Sequence, residues 1–217
     1  MNPTDFILQN TELLTPPLVP ELRLHLATEL MPLWRRSEEE LEAMGVPPPY
    51  WAFAWAGGQA LARYVLDNPE TVRGKSVLDI GAGSGLVGIA AMKAGARSVL
   101  SADIDAYAEA AIALNAEANG AAVRTTTADL IGSEGDWDVI LVGDLCYERP
   151  IAERLLAWLR TRTGAALLGD PGRSYFPKTA IERLALYNVK VTRDLEDREI
   201  RETGVYRLRA DTGAGPT

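Results

Sequence analysis

From Ser76 onward the chain alternates short β-branched, apolar runs with longer stretches whose apolar residues recur every three or four positions. That pattern is the one produced by strands separated by amphipathic helices. It predicts strands at Ser76–Ile80, Ser98–Ala102, Val123–Thr127, Trp137–Gly143, Ala165–Gly169, Val189–Arg193 and Val205–Arg209. Helices are expected at about 86–95, 106–119, 150–161 and 177–187, with the spacing clearest from Ala106 to Asn119. The last two strands lack a convincing helix between them. The mostly charged run Asp194 through Thr203 instead predicts a solvated turn joining two antiparallel strands at one edge. The expected fold class is therefore α/β, a seven-stranded mixed sheet with helices on both faces.

Before Ser76 the pattern changes. Helical candidates at 20–30 and 37–44 lead to Pro47-Pro48-Pro49, a rigid turn, and then to Tyr50-Trp51-Ala52-Phe53-Ala54-Trp55, whose aromatics precede a helix at about 58–67. Residues 1–56 read as an N-terminal helical extension and substrate or cofactor rim, 57–210 as the main domain, and 211–217 as a flexible tail. The aromatics either line a pocket or pack.

Composition narrows the class. The 217 residues are 47% hydrophobic, enough for a full core, and carry a net charge of −8. That charge argues against nucleic acid as a direct ligand, because phosphate backbones are gripped by clustered Lys and Arg. A single cysteine, Cys146, cannot form an internal disulfide, and Met1 to Asp5 lacks the basic, apolar start of a signal peptide. A cytoplasmic protein is expected. No apolar run approaches the roughly 18 residues that span a bilayer, so no membrane partner is expected either.

The candidate chemistry begins where the strand Ser76–Ile80 runs into Gly81-Ala82-Gly83-Ser84-Gly85 directly before a helix. Glycines at such a turn allow positive φ and let a ligand approach the main chain. Gly83, Gly85 and Gly88 also satisfy the GxGxxG spacing of dinucleotide sites, which is weak evidence by itself. Asp79 separates the readings. An acid at the carboxyl end of the strand repels a pyrophosphate but welcomes a sulfonium and an ammonium, both carried by S-adenosylmethionine. Asp103 ends the next strand, 18 residues past Gly85, where a carboxylate can accept both ribose hydroxyls. Asp129, after the third strand, either takes the adenine amino group or caps a turn.

Strand, glycine loop and acid in this order resemble a class I, Rossmann-like, seven-β-strand S-adenosylmethionine-dependent methyltransferase over residues 50–209. The fourth strand ends in Gly143-Asp144-Leu145-Cys146-Tyr147, similar to the Asp-x-x-Tyr motif of seven-strand protein lysine methyltransferases. Four further segments extend the likeness: Phe6 to Thr11, Pro20 to Leu26, Tyr50 to Gln59, and Leu168-Gly169-Asp170-Pro171-Gly172-Arg173. With these, nearly the whole chain resembles the electron transfer flavoprotein β-subunit lysine methyltransferase family. Ala56 stands where that family commonly has a proline, and Cys146 where it often has an aromatic.

The resemblance implies that Trp55 and Gly143 line the cofactor pocket and that Asp144 and Tyr147 face the substrate amine. The expected cofactor set is then Trp55, Asp79, Gly81, Ala82, Gly83, Gly85, Asp103, Ile104, Asp129 and Gly143, with S-adenosyl-L-methionine as cofactor and no metal. The electron transfer flavoprotein β subunit is the implied protein substrate. Chemically, a lysine with a pKa near 10.4 is only ~0.1% neutral around pH 7.4, so the site must admit or generate the free amine. A carboxylate at Asp144 would stabilise the cation that forms on nitrogen, and Tyr147 would orient it. Asp144 as a strand-end cap and Tyr147 as core packing are the plainer alternatives, and Asp170 to Arg173 is either the lip of the substrate channel or a tight turn. A small-molecule amine N-methyltransferase, a non-catalytic cofactor-binding module and a nicotinamide oxidoreductase compete with the lysine reading.

Overall fold

A computed structural model describes residues 2–28, 46–191 and 200–209. Seven strands form one sheet: β3 (Ser76–Ile80), β4 (Ser98–Ala102), β5 (Arg124–Thr126), β6 (Val139–Gly143), β7 (Ala165–Asp170), β8 (Ile181–Lys190) and β9 (Ile200–Leu208), in the order β5-β4-β3-β6-β7-β9-β8. The first five are parallel, while β9 runs antiparallel between β7 and β8. The order reverses beside β3. In open α/β sheets ligands bind at such a switch, in the crevice outside the carboxyl ends of the strands.

Alternation within the central strands feeds two cores. Val77, Val139, Leu141 and Leu167 face α2 (Ala56–Asp67) and α3 (Leu86–Lys93). Leu78, Ile80, Ile140, Val142 and Leu168 face α5 (Arg149–Arg160). Burial on both sides explains why these strands read as continuous apolar runs. The helix α4 (Ala106–Ala118) begins at Asp105, whose side chain accepts the Tyr107 amide.

The N-terminal segment differs from its expected form. Residues 20–28 contain no helix; β2 (Leu24–Leu26) pairs antiparallel with β1 (Glu12–Leu14). Leu22, Leu24 and Leu26 are buried at alternate positions, and this period of two outweighs the helical spacing. An unforeseen helix, α1 (Pro3–Asn10), starts at the Asn2 cap with Pro3 in its first turn. Phe6 packs edge-on against Tyr107 of α4, and Trp51 stacks on the same ring at 6.3 Å. The extension is thereby pinned beside the ligand face of the sheet. The helical candidate at 37–44 and the tail 211–217 lie outside the described residues.

A second difference is at 177–187. Most of this stretch is strand β8, with a bulge between Arg183 and Ala185. Ala185, Tyr187 and Val189 alternate onto one core face, and the bulge adds Leu184 to it, which creates apolar spacing that mimics a helix. A ladder to β9 fixes the strand state. Of the charged run expected as a turn, residues 200–203 are instead the start of β9, and 194–199 lie outside the described residues. No helix among the described residues is long and apolar enough to cross a membrane.

Candidate active site

The site is built at the carboxyl ends of β3, β4 and β6. After β3 the chain turns through Gly81, Gly83 and Gly85 at φ values of +62°, +50° and +78°, conformations that disfavour a side chain. The turn is tied to the neighbouring strand, because Gly83 donates its amide to Asp103 Oδ2 at 2.8 Å and Asp105 donates to Asp103 Oδ1 at 3.1 Å. Burial raises the Asp103 carboxyl above its ordinary value. Asp79 is almost wholly inside, accepting the Gly88 amide at 2.9 Å and the Ser101 hydroxyl at 3.2 Å on Oδ2. Burial pushes its carboxyl up to about 7.

These residues surround a cavity of about 770 Å³. Trp55, Gly81, Gly83, Asp103, Ile104, Asp129, Gly143, Asp144 and Tyr147 all line it. Asp79 and Ala82 line a small adjoining cavity that shares Trp55, Gly81, Gly83 and Gly143. Gly85 lines neither: a Cβ there would press on Ile112 of α4 at 3.0 Å, so this glycine permits the loop to pack. Asp129 reaches the cavity with its carboxylate engaged, Oδ1 by the Ile131 amide and Oδ2 by Arg154 of α5. The turn role and the cavity position coincide in this residue. Arg154 was invisible to sequence reasoning because nothing in α5 marks one arginine above its neighbours.

The donor set fits S-adenosylmethionine. A Cβ on Gly83 would meet nothing nearer than 3.8 Å, so the loop backbone is open toward the cavity. The acids Asp79 and Asp103 at this end suit a sulfonium, an ammonium and a ribose diol, and they oppose a pyrophosphate.

The other end of the cavity is set by β6 and β7. Asp144 follows β6 in the left-handed region (φ +61°), and its amide donates to Gly169 of β7 at 2.9 Å. Its side chain, 5% exposed, accepts the Gly57 amide on Oδ2 at 2.8 Å and Arg173 Nε on Oδ1 at 2.5 Å. Gly57 lies in the first turn of α2, which has no side-chain cap of its own, so Asp144 supplies the anion that this helix end attracts. Asp170, closing β7, accepts the Gly172 and Arg173 amides, both at 2.7 Å, on Oδ1. Its Oδ2 is buried without a hydrogen-bond partner, and burial raises its carboxyl to about 7. The segment Asp170 to Arg173 is thus a tight turn, and of its four residues Arg173 lines the cavity.

Aromatic rings frame the opening. The rings of Tyr50 and Tyr147 lie 5.7 Å apart, those of Tyr50 and Trp55 6.0 Å, and the Arg173 guanidinium sits 5.8 Å from the Trp55 ring centre. Tyr147 is 38% exposed and its hydroxyl is held up to about 12, by burial first and neighbouring negative groups second. It is a mouth residue, not core packing. Cys146 is buried, and its thiol is pushed up to about 12 for the same reasons.

Known proteins resemble this chain in sequence and in fold. The ribosomal protein L11 methyltransferase (PrmA) family model matches residues 59–145. The electron transfer flavoprotein beta subunit lysine methyltransferase of Xenopus laevis is 42% identical over 94% of this chain and 86% of its own length. Among solved structures, Thermoplasma acidophilum 1320 superposes with a TM-score of 0.57 at 19% identity, over 71% of this chain and 90% of that one. The magnesium protoporphyrin IX methyltransferase of Synechocystis PCC 6803 with bound SAM gives 0.52 at 16% identity, covering 70% of this chain and 78% of that one. These two likenesses are of fold.

Proposed function

We propose that this chain, which belongs to the electron transfer flavoprotein β-subunit lysine methyltransferase family, transfers methyl groups to lysine side chains of the electron transfer flavoprotein β subunit. The observation that carries the reading is the position of Asp144. Its carboxylate lies on the wall of the same cavity as Asp103 and the glycine loop, at the end framed by Tyr50, Trp55 and Tyr147. A long apolar stem ending in an amine suits such an aromatic mouth with an acid behind it.

S-adenosylmethionine, when bound, supplies an electrophilic methyl group on a sulfonium. Asp79, Asp103, Ile104 and the closely approachable main chain of Gly81 to Gly83 would hold it, with Trp55 and Gly143 closing the pocket and Asp129 near its adenine end. Asp144 faces the amine and offsets the positive charge that develops on nitrogen, an effect strengthened by its burial. Its left-handed backbone, Gly57 amide and Gly169 carbonyl fix it in advance, so little reorganisation accompanies the reaction. Tyr147 keeps its proton across the working pH range and orients the amine by hydrogen bonding. From the extension, Pro47, Pro48, Tyr50, Trp51 and Trp55 line the cavity and form part of the docking rim, and the buried Cys146 suits a reducing cytoplasm.

The test is transfer of labelled methyl to purified electron transfer flavoprotein, with mass spectrometry locating the mark. Label on β-subunit lysines is the expected result. Label only on free amines, or cofactor binding without turnover, overturns the proposal in favour of a small-molecule enzyme or a binding module.

A further inference from the structure

Asp144 already has a cationic side chain on it. Arg173 places Nε on Asp144 Oδ1 and its guanidinium over the Trp55 ring, with only 19% of the side chain exposed. Asp144 is the partner that the proposed function assigns to the substrate amine, Trp55 belongs to the aromatic mouth in front of it, and Arg173 lines the same cavity. The conformation is imposed by the turn that precedes it. Asp170 Oδ1 gathers the Gly172 and Arg173 amides, and Gly172 takes a φ of +88°. These contacts direct the arginine back across the opening and away from solvent.

Resting on the reading of Asp144 as the substrate-side carboxylate, we infer that Arg173 is a built-in occupant of the ammonium seat, which the target lysine must displace before it can be methylated. Three physical points support it. A cation beside Asp144 during the reaction would oppose the positive charge forming on nitrogen, so the productive state requires the guanidinium to leave. Exchange of one cation for another on the same carboxylate and ring avoids stranding a buried charge, the costly alternative. The ion pair also satisfies Asp144 between turnovers and disfavours entry of small neutral molecules that bring no replacement charge. Arg173 therefore acts on specificity. Only a ligand with a cation on a long stem, anchored by further contacts at the mouth, competes with it.

The inference makes the substrate's apparent affinity depend on how often the seat is vacant, since affinity is scaled by the competent fraction. With full-length enzyme and purified electron transfer flavoprotein, Arg173→Met should lower the KM for the protein substrate, by roughly tenfold if the seat is filled about nine-tenths of the time. S-adenosylmethionine affinity should stay unchanged. An unchanged or raised KM with intact cofactor binding overturns the inference, because a merely structural arginine predicts that outcome. If Arg173→Met does not fold, Arg173→Lys keeps the cation and puts an amine in the seat. It should acquire methyl at position 173 at a rate independent of protein concentration, as the N–C bond forms, the S–C bond breaks and a proton leaves to solvent. An unmodified position 173 in a variant that still methylates the flavoprotein overturns the inference. Failure of the underlying reading looks different: wild-type enzyme would not label the flavoprotein, or Asp144→Asn would label it at the full rate.

Discussion

Gly57 and Gly169 meet backbone to backbone: a Cβ on Gly57 would lie 2.2 Å from the Gly169 carbonyl oxygen, and one on Gly169 would lie 2.1 Å from that of Gly57. This contact seats the first turn of α2 on the end of β7 and thereby brings the Gly57 amide onto Asp144. Neither backbone can yield easily. Gly169→Ala and Gly57→Ala should each cost about 3 kcal/mol or more, at the upper end of overpacking penalties. Gly58→Ala is the control, because its Cβ would find only ordinary contacts at 4.0 Å. It should stabilise by up to about 1 kcal/mol through helix propensity. Chemical denaturation of the three variants checks the contrast.

Asp144→Asn retains an oxygen for the Gly57 amide and removes the charge. Methyl transfer should fall by about 100-fold or more, the size of a lost electrostatic stabiliser, while calorimetry finds cofactor affinity little changed. Asp144→Ala should in addition lose about 1 kcal/mol of stability with the helix anchor.

Asp103→Ala removes the acceptor that ties Gly83 to β4 and faces the cavity. Cofactor binding should weaken about 10- to 100-fold, in line with hydrogen bonds to a charged group. Calorimetric titration of S-adenosylmethionine reads this directly, and an unchanged Kd would remove Asp103 from the binding set.

Asp79 and Asp170 give the ligand-free protein an acid-side stability. Burial raises both carboxyls to about 7 from 3.8, so between those values the folded state holds more protons than the unfolded chain. Their contribution is fully present below about pH 4 and is lost as pH rises to 7. Asp79→Asn should flatten its share of this slope, raise the Tm of ligand-free protein at pH 8, and weaken cofactor binding. Thermal unfolding from pH 4 to 8, with and without S-adenosylmethionine, measures both effects. A variant whose slope matches the wild type would contradict the assignment.

Cys146 should be inert. With the thiol buried and pushed up to about 12, almost no thiolate exists at pH 8. Iodoacetamide should label the native protein far more slowly than the protein in denaturant.

Much of the site was legible because it depends on short-range rules. A glycine run after an apolar strand and an acid after each of two strands place Gly81, Gly83, Asp79 and Asp103 together once the strands are parallel neighbours, and β3 and β4 are. The edge was less legible. In 177–187 the bulge in β8 made a strand carry helix-like spacing, and only its pairing with β9 revealed it. At 20–30 the alternation of Leu22, Leu24 and Leu26 competed with an equally plausible helical count. The signal for α1, an Asn2 cap followed by Pro3, was present but lay outside the periodic part of the chain.

By itself the sequence determined the mixed α/β order, the glycine loop, and the carboxylates at strand ends, because backbone freedom and hydrophobic periodicity are local properties. Only the tertiary structure decided who faces whom. It set Asp144 between the Gly57 amide and Arg173, contacts that cross 87 and 29 residues of chain, and Asp129 against Arg154, 25 residues away. It also made Tyr50, Trp55 and Tyr147 one mouth. Such pairings follow from strand order and from helix ends meeting the sheet, and no local pattern encodes which of many charged or aromatic side chains those surfaces will bring together.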